Sequence, residues 1–361
     1  MTLWRSEGGA EASPEPAVPD RDPLAGGVAT GIGSWPGTDP REAANTILGE
    51  LPGLPHLVEL PARGVGADMI GRCSALLVDM RFDSTTRGYR LAARPGAVSR
   101  RARDLLREDL DALEEVWETA GLAGSGHPLK IQAAGPLTLA AEAELPNGHR
   151  ILTDHGALRD LSESLAEGIA RHVAELRRRL GATLVVQLDE PRLTDVLTGA
   201  LTGPSVLNTV RAKPEPEALA VLDAVIEAQD APVVLHSCAA RPALTTLRRT
   251  AAAAIAVDVA TLRTEDLDPL GETLDAGTRL ILGLVPTEPP PGQLTWRAAA
   301  EPGARLVDRL GFPRRTLGSS VLVSPACGLA TAPAAWARTA LSLTADVARA
   351  YTEEPESLAA G

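Results

Sequence analysis

Short apolar runs alternate with longer amphipathic stretches eight times along this chain, from Val28 to Tyr351. The runs are Val28–Ser34, His56–Leu60, Leu129–Ala134, Thr183–Leu188, Pro232–Leu235, Ala254–Val257, Arg279–Leu284 and Ser320–Val323. Most are rich in Val, Ile, Leu and Ala, the signature of strands covered on both faces. Between them, Leu158, Leu161, Leu165, Ile169, Val173, Leu176 and Leu180 recur every three or four residues, which predicts one apolar face of a helix. Two more helices are predicted over Val98–Ala120 and from about Ala332 to Tyr351. Eight strand–helix units predict an α/β chain folded as a single (β/α)8 TIM barrel over residues 27–352. Residues 1–26, rich in Pro, Glu, Ala and Gly without hydrophobic period, read as a disordered leader, and 353–361 as a tail.

The rival architecture, a doubly wound sheet, lacks its glycine fingerprint. Gly31-Ile32-Gly33 runs into Ser34-Trp35-Pro36, with no third glycine to open a helix. Gly-x-Gly here reads as backbone room for a ligand.

Composition narrows the function classes. The chain is 361 residues long and 44% apolar but only 2% aromatic, so Leu, Val and Ala fill the core. A formal net charge of -12 argues against nucleic acid and anionic membranes, because an acidic chain gains nothing from releasing counterions. No uninterrupted apolar stretch approaches a membrane span, and the N-terminus lacks a signal pattern. Three cysteines, Cys73, Cys238 and Cys327, do not make a secreted disulfide framework. A reducing, cytoplasmic setting is expected, where thiolates can serve as ligands.

In that frame the chemically capable residues collect at the C-terminal ends of the strands, the rim where barrels of this kind carry active sites. Ser34 follows the first strand and Glu59 lies near the end of the second. Asp189 and Glu190 end the fourth, His236 and Cys238 the fifth, Asp258 the sixth, and Cys327 follows the eighth. Polar strand ends are common and Asp often caps the next helix, so Asp189 and Asp258 each have a plain structural alternative. In Val233-Val234-Leu235-His236-Ser237-Cys238, positions i and i+2 of extended chain face one way. An imidazole and a thiol therefore point together. His236, Cys238, Asp258 and Cys327 have the ligand types of zinc. Zinc held by two thiolates is a poor activator of water and suits an incoming thiol, which it keeps deprotonated near neutral pH. Cys73, in a crossover, reads as a small apolar residue.

With these residues in place, the chain resembles the C-terminal catalytic barrel of cobalamin-independent methionine synthase. The motifs are Ile32-Gly33-Ser34-Trp35-Pro36, Glu59 with Ala67-Asp68-Met69-Ile70, Gly135-Pro136-Leu137-Thr138, Leu188-Asp189-Glu190-Pro191, His236-Ser237-Cys238 and Cys327-Gly328-Leu329. The resemblance implies zinc held by His236, Cys238 and Cys327, with Asp258 where the family has a glutamate. It implies homocysteine binding by Ile32, Gly33, Ser34, Glu59 and Asp189, the last two also serving catalysis. Glu59 and Asp189 suit an ammonium group, and the Gly33–Ser34 backbone suits a carboxylate.

Three departures accompany it. The family's full-length enzymes carry a second, N-terminal barrel, for which this length leaves no room. The aromatic that stacks on folate after the third strand is missing from Thr138-Leu139-Ala140-Ala141-Glu142. The histidine expected after the seventh strand is missing from Leu284-Val285-Pro286-Thr287-Glu288. A methyl group leaving methyltetrahydrofolate needs its nitrogen protonated, whereas a methyl-corrinoid donor does not. The donor therefore stays open between a methylfolate and a methyl-corrinoid on a carrier protein. Two other classes stay open as well. One is a metal-free lyase related to uroporphyrinogen decarboxylase, with Arg63 and Arg72 lining its mouth; the other is a binding barrel without turnover.

Overall fold

Parallel pairing in strict sequence order organises the chain, as its apolar runs require. The computed structural model describes residues 22–203 and 209–358. Its strands are the hairpin β1 (Phe82–Thr85) and β2 (Gly88–Leu91), then β3 (Pro128–Ala134), the short β4 (Ala143–Glu144), β5 (Thr183–Asp189), β6 (Val233–Ser237), β7 (Ala254–Asp258), β8 (Arg279–Val285) and β9 (Val321–Pro325). β3, β5, β6, β7, β8 and β9 form one six-stranded sheet in that order, parallel throughout. β1, β2 and β4 form a separate small sheet that the apolar pattern did not anticipate.

The sheet has six strands and not the eight expected. Val28–Ser34 and His56–Leu60 contribute isolated parallel bridges instead: Ala29 to Val323 of β9, Ser34 to Glu59, and His56 to Lys130 of β3. The local sequence explains the shortfall. Gly27, Gly31 and Gly33 loosen the first segment, and Pro55 and Pro61 flank the second, removing ladder donors. Both segments still join the two edge strands through backbone bonds, Thr30 N to Val323 O at 2.9 Å and Leu57 N to Lys130 O at 2.9 Å.

Helices cover the outside. His155–Leu180 begins at Asp154, whose carboxylate accepts from Ala157 N, and buries the whole predicted stripe from Leu158 to Leu180. Ala97–Thr119 and Ala334–Glu353 fall where the pattern placed them. Burying one such leucine contributes about 1.5–3 kcal/mol. No described helix is long and apolar enough to cross a membrane.

Inside the sheet a second, smaller core lies at the N-terminal ends of the strands. Val185, Val234, Ala254, Ala256, Ile281 and Leu322 pack there with Leu24 and Leu54. Leu24 belongs to the stretch expected as leader; residues 1–21 and 359–361, the rest of the leader and the end of the tail, lie outside the described residues. Two positions on from Val185 and Val234, Gln187 and His236 face the same side. The interior thus changes from apolar to polar toward the strands' C-terminal ends, where the candidate site lies.

Candidate metal centre

His236 is buried near the end of β6 and is the Cα partner of Asp189 in the β5–β6 ladder. Its Nδ1 meets Asp189 Oδ1 at 2.6 Å. With the carboxylate ionised and the ring neutral, the proton of this contact sits on Nδ1 and Nε2 carries a lone pair. That Nε2 is buried and has no hydrogen-bond partner among the described residues. Leaving such a nitrogen unsatisfied costs on the order of 1–3 kcal/mol, so its environment calls for a ligand.

Two sulfurs lie beside it. Cys238 follows β6 and Cys327 follows β9, with their Cα atoms 5.9 Å apart and their sulfurs joined in a disulfide. Ligand atoms of His236, Cys238 and Cys327 lie within 4.8 Å of one another. When reduced, these two cysteines and His236 Nε2 could hold a metal ion and offer the ligand types of a thiolate-rich zinc site, with a carboxylate behind the imidazole. Asp258 is outside this triad. It ends β7, and its Oδ1 accepts from Ala260 N at 2.9 Å, capping the turn Val259–Thr261. Burial raises its carboxyl above the usual range, opposed by that N–H and by nearby His236.

The residues expected to bind an amino acid sit next to the triad. Ser34 and Glu59 are bridged, and Ser34 O accepts from Leu329 N at 2.9 Å, which ties this loop to the one carrying Cys327. A side chain at Gly328 would meet the Ser34 hydroxyl, which would have to turn away to admit it. Gly33 has φ +148°, and a Cβ there would come within 2.7 Å of Gln132 Nε2. Burial pushes the Glu59 carboxyl up to about 7, with Arg72 opposing and Asp189 reinforcing the shift. The two carboxylates are thus close enough to feel each other.

Sequence reasoning missed the polar interior beneath them. Lys130 is fully buried in β3, its Nζ donating to Gln187 Oε1 at 2.7 Å and to Ile32 O at 3.2 Å. Burial lowers it to about 7, opposed by Asp189 and Glu59. Gln187 Nε2 donates to Asp189 Oδ1 and to Ile32 O, both at 2.8 Å. The available signal was the alternation Lys130, Gln132 within an otherwise apolar strand, polar groups pointing into the sheet's interior.

Two motifs resolve into structural roles. Glu190 accepts from Leu137 N, Thr138 N and Thr138 Oγ1 at 2.7–2.9 Å, so Asp189-Glu190-Pro191 clamps Gly135-Pro136-Leu137-Thr138. Burial pushes Glu190 up to about 7, resisted by those three donors. Arg63 and Arg72 both pair with Asp109, which is fully buried on the helix Ala97–Thr119. Their charge is matched inside the protein, which weighs against a mouth built for a polycarboxylate. Cys73 is buried, as expected of a small apolar residue, with Sγ 3.7 Å from Ala134 O, and burial pushes its thiol up to about 12.

Fold and site together define an α/β protein with a candidate soft-ligand metal centre at the C-terminal ends of parallel strands. The chain belongs to the family described as "Cobalamin-independent synthase, Catalytic domain", whose model matches residues 28–350. Among solved structures, a B12-independent methionine synthase from Shewanella sp. W3-18-1, in complex with selenomethionine, shares the fold at 13% identity and TM-score 0.55. That match covers 90% of this chain and 97% of the other. A β-glycosidase from Thermosphaera aggregans aligns at 10% identity and TM-score 0.32, over 92% of this chain and 97% of that one. No curated protein matches.

Proposed function

We propose that this protein is a zinc-dependent methyltransferase that moves a methyl group to the thiol of homocysteine, giving methionine. The observation that carries the proposal is the buried, partnerless Nε2 of His236 beside two cysteine sulfurs. His236, Cys238 and Cys327 would hold the metal, with Asp258 as a fourth ligand after a change of rotamer. Bound zinc supplies the positive charge that keeps a substrate thiol as thiolate near neutral pH.

The chain's own residues do the rest. Glu59 and Asp189 hold the substrate ammonium, and the backbone around Ile32, Gly33 and Ser34 receives its carboxylate. Asp189 also fixes the His236 ring, so one carboxylate serves both substrate and metal arm. The thiolate pair forms the new sulfur–carbon bond as the methyl leaves its donor, and the old bonding pair stays with a folate nitrogen, which takes up a proton from solvent, or with a corrinoid cobalt. Orientation and thiolate activation supply most of the rate. The selenomethionine bound to the Shewanella enzyme is a close analogue of the proposed product and supports this substrate class. We take the bridged sheet as a (β/α)8 barrel over 27–352 whose first two strands are reduced to bridges, working in the reducing cytoplasm.

The test is metal analysis of reduced protein followed by methionine formation from homocysteine, offering methyltetrahydrofolate and methylcobalamin in turn. One equivalent of zinc and turnover with either donor support the proposal; zinc-free protein or no methionine from any donor contradicts it.

A further inference from the structure

Lys130 contacts neither the sulfurs nor His236, yet it stands at the head of a chain of hydrogen bonds that ends on the imidazole. The links are Lys130 Nζ to Gln187 Oε1 at 2.7 Å, Gln187 Nε2 to Asp189 Oδ1 at 2.8 Å, and Asp189 Oδ1 to His236 Nδ1 at 2.6 Å. All four residues are buried.

The direction of each bond follows from donor chemistry alone. Ile32 O and an ionised Asp189 only accept, so the side of Gln187 facing them is its nitrogen, and the atom left facing Lys130 is its oxygen. The amide nitrogen is then turned toward Asp189 Oδ1 and Ile32 O, both acceptors, and each takes one of its two hydrogens. Asp189, held by that hydrogen, presents the same oxygen to Nδ1–H of His236. Nε2 is left as the lone pair. Reverse the amide, and Oε1 would face both the carboxylate and a carbonyl, with oxygen opposed to oxygen at two places.

We propose that Lys130, acting through Gln187 and Asp189, is the positioning residue that fixes the His236 tautomer able to bind metal. Lys130 and Gln187 also share the Ile32 carbonyl, so the same pair ties the substrate loop Ile32–Ser34 to the metal arm. The inference rests on the proposed metal site, and its test can fail separately from that proposal.

The test compares Lys130→Met and Gln187→Met, near-isosteric changes that break the chain at different links, with the unaltered protein. Two quantities are read: zinc affinity of the reduced, metal-free protein by competition with a chromophoric chelator, and the ¹⁵N signals of His236 before zinc is added. Each variant is expected to bind zinc about 10- to 100-fold more weakly, the usual effect of losing an outer partner of a ligating histidine. His236 is expected to change from one tautomer, Nδ1–H, to a mixture. A merely structural role for Lys130 would lower the melting temperature and leave the His236 signals alone. Folded variants that bind zinc within twofold of the unaltered protein, with His236 still wholly Nδ1–H, overturn the proposal. Should Lys130→Met not fold, Gln187→Met, which keeps the lysine, decides. If the unaltered protein takes up no zinc, the proposed function falls, while the ¹⁵N signals still decide whether this chain of bonds sets the tautomer.

Discussion

Asp189 and His236 are register partners on neighbouring parallel strands, and their side chains meet at 2.6 Å between Oδ1 and Nδ1. The backbone ladder thereby fixes which nitrogen of the imidazole faces the two cysteines. Asp189→Asn is expected to weaken zinc binding about 10- to 100-fold, because a carboxamide does not bind Nδ1–H as a carboxylate does. It also removes a charge from the proposed ammonium pocket, so KM for homocysteine should rise. Chelator competition and steady-state kinetics on the same variant check both effects.

The two sulfurs should make the proposed metal binding depend on redox state. Thiolates are zinc ligands and a disulfide is not. Protein with Cys238 and Cys327 joined is expected to take up no zinc, and reduction should restore one equivalent. Cys238→Ser should lose the metal under either condition. Zinc content with thiol counting by a chromogenic reagent checks this, and stoichiometric zinc in Cys238→Ser would contradict the ligand assignment.

Burial raises Glu59 to about 7, so its charge is present above that pH and is lost as pH falls through it. Homocysteine should therefore bind less well below about pH 7, with KM rising. Glu59→Gln should raise KM roughly 10- to 150-fold at pH 8, the equivalent of one charged hydrogen bond of about 1.5–3 kcal/mol, and flatten this pH dependence. KM measured from pH 6 to 8.5 on both proteins checks it.

Much of this architecture is legible in the sequence, because a strand covered on both faces is written as a continuous apolar run. β3, β5, β6, β7, β8 and β9 are all legible for that reason. Val28–Ser34 and His56–Leu60 carry apolar residues too, but their glycines and flanking prolines limit them to bridges, and composition alone does not weigh that effect. The closeness of His236 and Cys238 was readable because they follow the period of extended chain; that Cys327 joins them depends on the pairing of distant strands. Lys130 was not, since a charged residue inside a strand is understood only when its partner Gln187, on the next strand, is known. The local role of Glu190 was hidden likewise, as its three donors lie more than fifty residues away.

Glu190 gives a stability prediction independent of the metal. Glu190→Ala leaves two buried N–H groups and a hydroxyl near the start of the helix Pro136–Glu142 without their acceptor. A loss of about 2–4 kcal/mol is expected by denaturant unfolding, and a loss under 0.5 kcal/mol would deny the clamp.

His172 supplies a pH signature. It is buried, and burial holds it down to about 3, with Arg72 and Arg179 adding to the effect. The unfolded chain binds a proton below about 6.5 that the native state refuses until about 3, so this residue makes stability fall as pH drops through that window. Glu59 and Glu190, raised to about 7, act in the opposite sense between about 7 and 4.5, because the native state takes up their protons first. His172→Leu should remove the acid penalty, worth about 1.4 kcal/mol per pH unit well below 6.5, and unfolding at pH 6.5 and 5 checks it.

The most direct measurement is X-ray absorption at the zinc edge of the reduced, loaded protein, before and after homocysteine. Two sulfurs at about 2.3 Å are expected at first and three once the substrate thiol joins His236, Cys238 and Cys327 around one ion. A sulfur count that does not change on adding homocysteine, or a first shell without sulfur, would contradict the account.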